Sequence, residues 1–306
     1  MVNRKLEVYK DAETVAQAAA QRTLLAILDG LSEWRAADPD TGNTDSATLH
    51  TTNQSKQADS LCSAKSENQA TPQPAAVRSR YDVALTGGSD ILRALTYMAS
   101  NPLADAIDWN HVHFWWGDDR FVAATDEDRS SYQARKRFLD KLVADGRLPE
   151  NNIHEMAADT RTPEQVATAS DAENDELLAK AAADYEAELR RELGDEPTMD
   201  LLILGMGPDG HFASLFPNHN GIKITDLTRL VVGDSHSPKM PPLRISMTAP
   251  MLARSRRTWM LTCGAGKADA TAHVFAQPNN PAYPASFATG TEEFAWFTTA
   301  DAVTEL

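Results

Sequence analysis

Apolar residues fall along the chain in two patterns, short dense runs and longer stretches with helical spacing. From Asp11 to about Ala37, Val15, Ala18, Leu24, Leu25, Ile27, Leu28 and Leu31 recur at helical intervals and predict a helix. Tyr81–Thr86 (YDVALT), His111–Trp116 (HVHFWW) and Asp200–Leu204 (DLLIL) predict strands. Helical patterns follow the first two, at about Asp90–Ala99 and Ser131–Asp145, and a third helix is predicted over Leu177–Leu193. Strand-like stretches at Arg229–Val232, Arg244–Met247, Thr258–Thr262 and Phe294–Thr298, with a helix near Lys267–Phe275, complete the pattern. Such alternation predicts an α/β fold, a mainly parallel sheet with helices on both faces. Ligand sites in these folds lie at the carboxyl ends of the strands.

Two stretches break the pattern. Residues 38–80 are Thr, Ser, Asn, Gln and Ala with almost no large apolar side chain. They cannot bury enough surface to offset their ordering entropy, which predicts a flexible insertion in one 306-residue domain. The acidic segment Ala157–Glu176 predicts a surface loop with some helix.

Acidic residues outnumber basic ones, 44 to 29, for a net charge of −15. A field of that sign repels nucleic acid and anionic membrane, and neither is expected as a partner. An anionic substrate would need Arg and Lys concentrated locally against this background. The two cysteines, Cys62 and Cys263, lie far apart without metal-ligand spacing, which predicts free thiols in a reducing compartment. No run approaches a membrane span, and the first residues lack the apolar core of a secretion signal. A soluble, cytoplasmic protein is expected.

The residues with chemistry cluster directly after the predicted strands. Thr86-Gly87-Gly88-Ser89-Asp90 joins strand to helix. Its glycines admit an anion to backbone amides, and the helix dipole favours negative charge there. The alternative is an ordinary tight turn with Ser89 or Asp90 capping the helix. Trp116-Gly117-Asp118-Asp119-Arg120 offers a guanidinium fork suited to phosphate, which Asp118 or Asp119 would orient. The alternative is a solvated turn of paired charges.

Gly205-Met206-Gly207-Pro208-Asp209-Gly210-His211-Phe212-Ala213-Ser214-Leu215-Phe216-Pro217 places three glycines after a buried strand, then an Asp-Gly-His expected to open a short helix. A lone histidine is more often structural, but glycines this dense after a strand imply close approach by something. An imidazole titrates near neutrality, which suits a base that activates water. Arg244 and Lys267 stand at the ends of predicted elements, either as surface charges or, with Arg120, as the positive site an anion requires.

In this order, TGGSD, WGDDRFV, DLLILGMGPDGHFASLFP, PPLRISMT, GAGK and YPAS resemble the 6-phosphogluconolactonases from about Tyr81 onward. The resemblance implies a Rossmann-like fold similar to that of the glucosamine-6-phosphate deaminases, no metal or organic cofactor, and a monomer. It also implies hydrolysis of a phosphorylated sugar lactone in the oxidative pentose phosphate route. His211 matches the family's base. Gly87, Gly88, Ser89, Arg120, Arg244 and Lys267 match positions that hold substrate phosphate and hydroxyls. Asp118 and Asp209 match acidic positions, and Gly210 lies between Asp209 and the base. Backbone amides of the glycine-rich turns are the expected donors to the carbonyl oxygen.

The sequence departs from the family where Asp90-Ile91 follows the first glycine turn, at Asp119, and at Ser130 in place of an Asn. Two alternatives follow. One is a glucosamine-6-phosphate deaminase or isomerase, disfavoured because Ser214-Leu215-Phe216-Pro217 lacks that family's carboxylate. The other is a non-catalytic sugar-phosphate sensor, for which Asp90 and Ser130 would be signs of decay.

Overall fold

Residues 3–37 and 79–306 are described by the computed structural model of the chain. The insertion expected at about 38–80 falls outside them except for its last two residues, as does Cys62.

Strand β1 (Arg4–Tyr9) leads into helix α1 (Ala12–Ala37). The Asp11 carboxylate starts this helix by accepting the Thr14 amide at 2.8 Å. Its buried face, Val15, Ala16, Ala19, Ala20, Leu24, Ile27 and Leu31, follows the three-to-four spacing of the sequence. Next come β2 (Tyr81–Leu85), α2 (Ser89–Ser100), β3 (Val112–Trp116) and β4 (Asp118–Arg120). Helix α3 (Ser130–Ala134) runs through a π turn, Arg135–Leu139, into α4 (Asp140–Ala144). A two-residue strand, β5 (Ile153–His154), precedes α5 (Pro163–Thr168) and α6 (Asp171–Leu193). Capping boxes at Thr162 and Ser170 start these two helices, so α6 begins six residues before the apolar periodicity does. Strands β6 (Leu201–Gly205), β7 (Val231–Asp234) and β8 (Arg244–Met247) follow, then α7 (Ala249–Leu252), β9 (Arg257–Thr262), α8 (Ala268–Ala276) and β10 (Glu293–Thr299).

Seven strands form a parallel sheet in the order β1-β10-β9-β6-β2-β3-β5. Consecutive residues of β2, β9 and β10 are buried, which requires cover on both faces. From β2 the chain moves outward to β3 and β5, then returns to the other side of β2 as β6 and proceeds to β9 and β10. The strand order therefore reverses between β2 and β6, the position where α/β sheets open a crevice.

The stretches Arg229–Val232 and Arg244–Met247 belong to a second, antiparallel sheet, β4-β8-β7. Its strand β4 is the Asp-Asp-Arg segment, for which a solvated turn was one of two readings and a strand neither. β1 was not anticipated because its residues alternate between charged and apolar at a sheet edge, where both faces are partly wet.

Candidate active site

The carboxyl ends of β2, β6 and β9, together with β4 and β8, surround a cleft of about 370 Å³. Gly87, Gly88, Ser89, Asp118, Arg120, His211, Arg244 and Lys267 all line it. The turns after β2 and β6 nearly touch, since a Cβ on Gly205 would stand 3.4 Å from the Gly87 carbonyl.

One charged cluster is built across β4 and β8. Their antiparallel register sets Arg120 opposite Arg244 and Asp118 opposite Ser246. Burial, and then the Arg120 charge, push Arg244 down to about 10. Asp118 is buried within the electrostatic reach of both arginines and accepts the Ser214 hydroxyl at 2.6 Å. Burial raises its pKa against the opposing pull of Ser214, Arg120 and Arg244. Asp119 points the other way, accepting the amides of Arg120 (2.8 Å), Ser130 (2.7 Å) and Ser131 (3.1 Å). It thereby fixes the start of α3 and the backbone of Arg120.

Beside this cluster stands the amino end of α2. Its N-cap is Gly88, at φ 126°, and no side chain among the described residues caps the helix. Neither Ser89 nor Asp90 serves as the cap, so the first-turn amides are left for an anion. Asp90 turns aside to pair with Arg93 at 3.0 Å and accept the Cys263 amide at 3.2 Å. Ser130 packs against the turn: a Cβ on Gly87 would meet its Oγ at 2.4 Å and the Arg120 guanidinium carbon at 3.7 Å. The buried Ser130 hydroxyl has no hydrogen-bond partner among the described residues.

The second cluster is built on the loop after β6. His211 Nδ1 lies 2.5 Å from Asp209 Oδ1, and the ring rests against Phe216. A carboxylate at Nδ1 fixes the proton there and leaves Nε2 to accept one. Burial alone would raise the Asp209 pKa, but the His211 hydrogen bond and the charges of His211 and Lys239 hold it below the usual carboxylate range. Lys267 donates to the Met206 carbonyl at 2.5 Å, and burial lowers its pKa.

Three details correct the expectations. The loop after Gly210 forms no helix, because Gly210 (φ 77°) and Ala213 (φ 46°) are left-handed and Phe212 pairs back on Met206. The amides of Gly207 and Gly210 are spent on the carbonyls of His211 and Gly207, so this turn gives no oxyanion donor from them. Lys239 was missed. It lines the cleft and lies 3.4 Å from Asp209 Oδ2. Its signal was the run Pro238-Lys239-Met240-Pro241-Pro242, a stiffened basic loop just before Arg244.

Fold and site together define a mainly parallel α/β protein whose cleft is lined by Arg120, Arg244, Lys267 and a carboxylate-supported histidine. A profile described as glucosamine-6-phosphate isomerases/6-phosphogluconolactonase matches residues 54–296. The chain belongs to that family. It is 36% identical over 236 residues to a 6-phosphogluconolactonase of Streptomyces coelicolor, covering 76% of this chain and 84% of that one. A 6-phosphogluconolactonase of Mycobacterium tuberculosis is 37% identical over 234 residues, covering 76% and 87%. Among solved structures, the 6-phosphogluconolactonase of Trypanosoma brucei superposes with a TM-score of 0.71 at 18% identity, covering all of both chains. A monomeric glucosamine-6-phosphate deaminase gives a TM-score of 0.60 at 15% identity, covering 99% and 100%, which shows a shared fold.

Proposed function

We propose that this protein hydrolyses 6-phospho-D-glucono-1,5-lactone to 6-phosphogluconate, the lactonase step of the oxidative pentose phosphate route. The observation that carries this reading is one cleft lined by Arg120, Arg244 and His211, with Asp209 held against His211 from behind the lining. Relatives named 6-phosphogluconolactonase at 36% and 37% identity support it.

The phosphate sits between Arg120 and Arg244, on the uncapped amides of Gly88, Ser89 and Asp90, with the Ser130 hydroxyl as a further donor. The lactone carbonyl lies toward His211 and Lys267. His211 Nε2 takes a proton from water as the oxygen attacks C1, and the carbonyl pair moves onto its oxygen. That anion is stabilised by the Lys267 ammonium. On collapse the bond from C1 to the ring oxygen breaks, and the ring oxygen takes the proton from Nε2. The new carboxylic acid releases its proton to solvent. Asp209 holds the ring in the required tautomer throughout. The chain works as a monomer in the cytoplasm and uses no organic cofactor.

The deaminase alternative gains nothing from the structure, since the turn after His211 offers Ala213 and Phe216 to the cleft and no carboxylate.

The test is lactone hydrolysis, with substrate generated by glucose-6-phosphate dehydrogenase and its loss followed above the spontaneous rate. Wild type accelerates the loss, and His211→Ala lowers kcat roughly 10²- to 10⁴-fold, the contribution of a positioned base. Retained binding of 6-phosphogluconate without acceleration would favour the sensor instead.

A further inference from the structure

The two charged clusters are joined by one loop. Arg244 Nε donates to the Pro241 carbonyl at 2.8 Å, and Nη2 donates to the carbonyls of Met240 (3.1 Å) and Lys239 (3.3 Å). Ser237 closes the loop from within. Its amide donates to Pro242 O at 3.1 Å, its hydroxyl to Lys239 O at 3.1 Å, and it accepts the Lys239 amide at 3.2 Å. Three consecutive carbonyls are thus held by a side chain that is itself buried.

From this fixed backbone the Lys239 side chain crosses to the other cluster. Its Nζ is 3.4 Å from Asp209 Oδ2, while Oδ1 of the same carboxylate bonds His211. The two oxygens of Asp209 are therefore divided between a lysine and the histidine. A carboxylate tied at one oxygen alone is free to swing about its last torsion and carry the imidazole with it. Tied at both, it holds the ring in one place.

We infer that Lys239 is a positioning residue for the His211–Asp209 dyad, and that Arg244 fixes Lys239 in that role while also serving the phosphate. Arg244 and Arg120 then differ in function despite facing each other across two strands. Arg120 acts on substrate binding alone. Arg244 acts on binding and, through the loop, on the rate of the chemical step.

This inference rests on the lactonase reading, and the experiment separates the two. Wild type is measured first on 6-phosphogluconolactone; no acceleration there ends both. Given acceleration, Lys239→Ala is expected to lower kcat roughly 5- to 20-fold, part of what a positioned base supplies, with KM within about twofold. Lys239→Arg, which keeps a cation within reach of Asp209, restores most of the lost kcat. Arg120→Lys raises KM and leaves kcat near wild type, whereas Arg244→Lys raises KM and lowers kcat. Combining Arg244→Lys with Lys239→Ala lowers kcat no further than Lys239→Ala alone, because both act through one contact. A wild-type kcat in Lys239→Ala, equal loss in Lys239→Arg, or a purely KM effect of Arg244→Lys would each overturn the inference while leaving the lactonase reading in place.

Discussion

A Cβ built on Gly207 stands 2.0 Å from His211 Nδ1 and 2.5 Å from Asp209 Oδ1. Both obstructed groups are ends of side chains, so Gly207→Ala is expected to displace the dyad without unfolding the chain. The predicted result is a fall in kcat of roughly 10²-fold, the usual cost of misplacing a reacting group by an ångström, with KM and thermal midpoint little changed. Loss of the folded state instead would sink this account. Ser130 presents the complementary case. Sequence comparison with the family pattern made it a departure, yet its hydroxyl is buried against Gly87 with no partner among the described residues. A hydrogen bond to a charged phosphate is worth about 1.5–3 kcal/mol, so Ser130→Ala should raise KM for the phosphorylated lactone roughly 10- to 100-fold. The same substitution should leave unphosphorylated gluconolactone unaffected. Equal effects on both substrates would remove the hydroxyl from the phosphate site.

How much of this was legible in the sequence varied with the range over which each element is specified. The glycine turn, Arg120 and His211 each follow a strand whose apolar run is dense enough to identify, and the parallel sheet then brings those ends together. The small sheet was not legible, because β4 has three residues and no periodicity, and its partner β8 lies more than a hundred residues away. Asp119 shows the same difficulty. Read locally it is one of two acids beside an arginine, whereas in the fold it anchors three amides from buried surroundings. Asp119→Ala should cost about 2–3 kcal/mol, combining a lost cap with unsatisfied buried amides. It should also raise KM, since Arg120 loses the anchor of its own backbone. Urea unfolding together with substrate titration checks both parts; a stability loss with unchanged KM would separate Arg120 from its anchor.

The molecule as a whole carries a second histidine system on the far edge of the sheet. His113 Nδ1 lies 2.9 Å from His154 Nε2, and His154 Nδ1 lies 2.7 Å from Glu188. The Trp115 ring stacks on His154 at 3.8 Å. Burial, then the Arg80 charge, lower His113 from 6.5 to about 4. The folded state therefore takes up this proton less readily than the unfolded chain. The stability contributed is complete above pH 6.5 and is lost as pH falls from 6.5 toward 4. Wild type should lose up to about 2 kcal/mol between pH 8 and pH 5 from this group, read as a lower urea midpoint, and His113→Asn should flatten that slope. An unchanged slope in the variant would assign acid sensitivity to other groups.

The two arginines and the histidine belong to different sheets. Arg120 and Arg244 ride on β4 and β8 of the antiparallel sheet, while His211 follows β6 of the parallel one. Their separation is set by how the two sheets abut, and the Ser214 hydroxyl on Asp118 (2.6 Å) and Lys239 beside Asp209 (3.4 Å) tie one side to the other. The distance between the two charged clusters is thus a property of the packing between the sheets and of these ties, and of neither cluster alone.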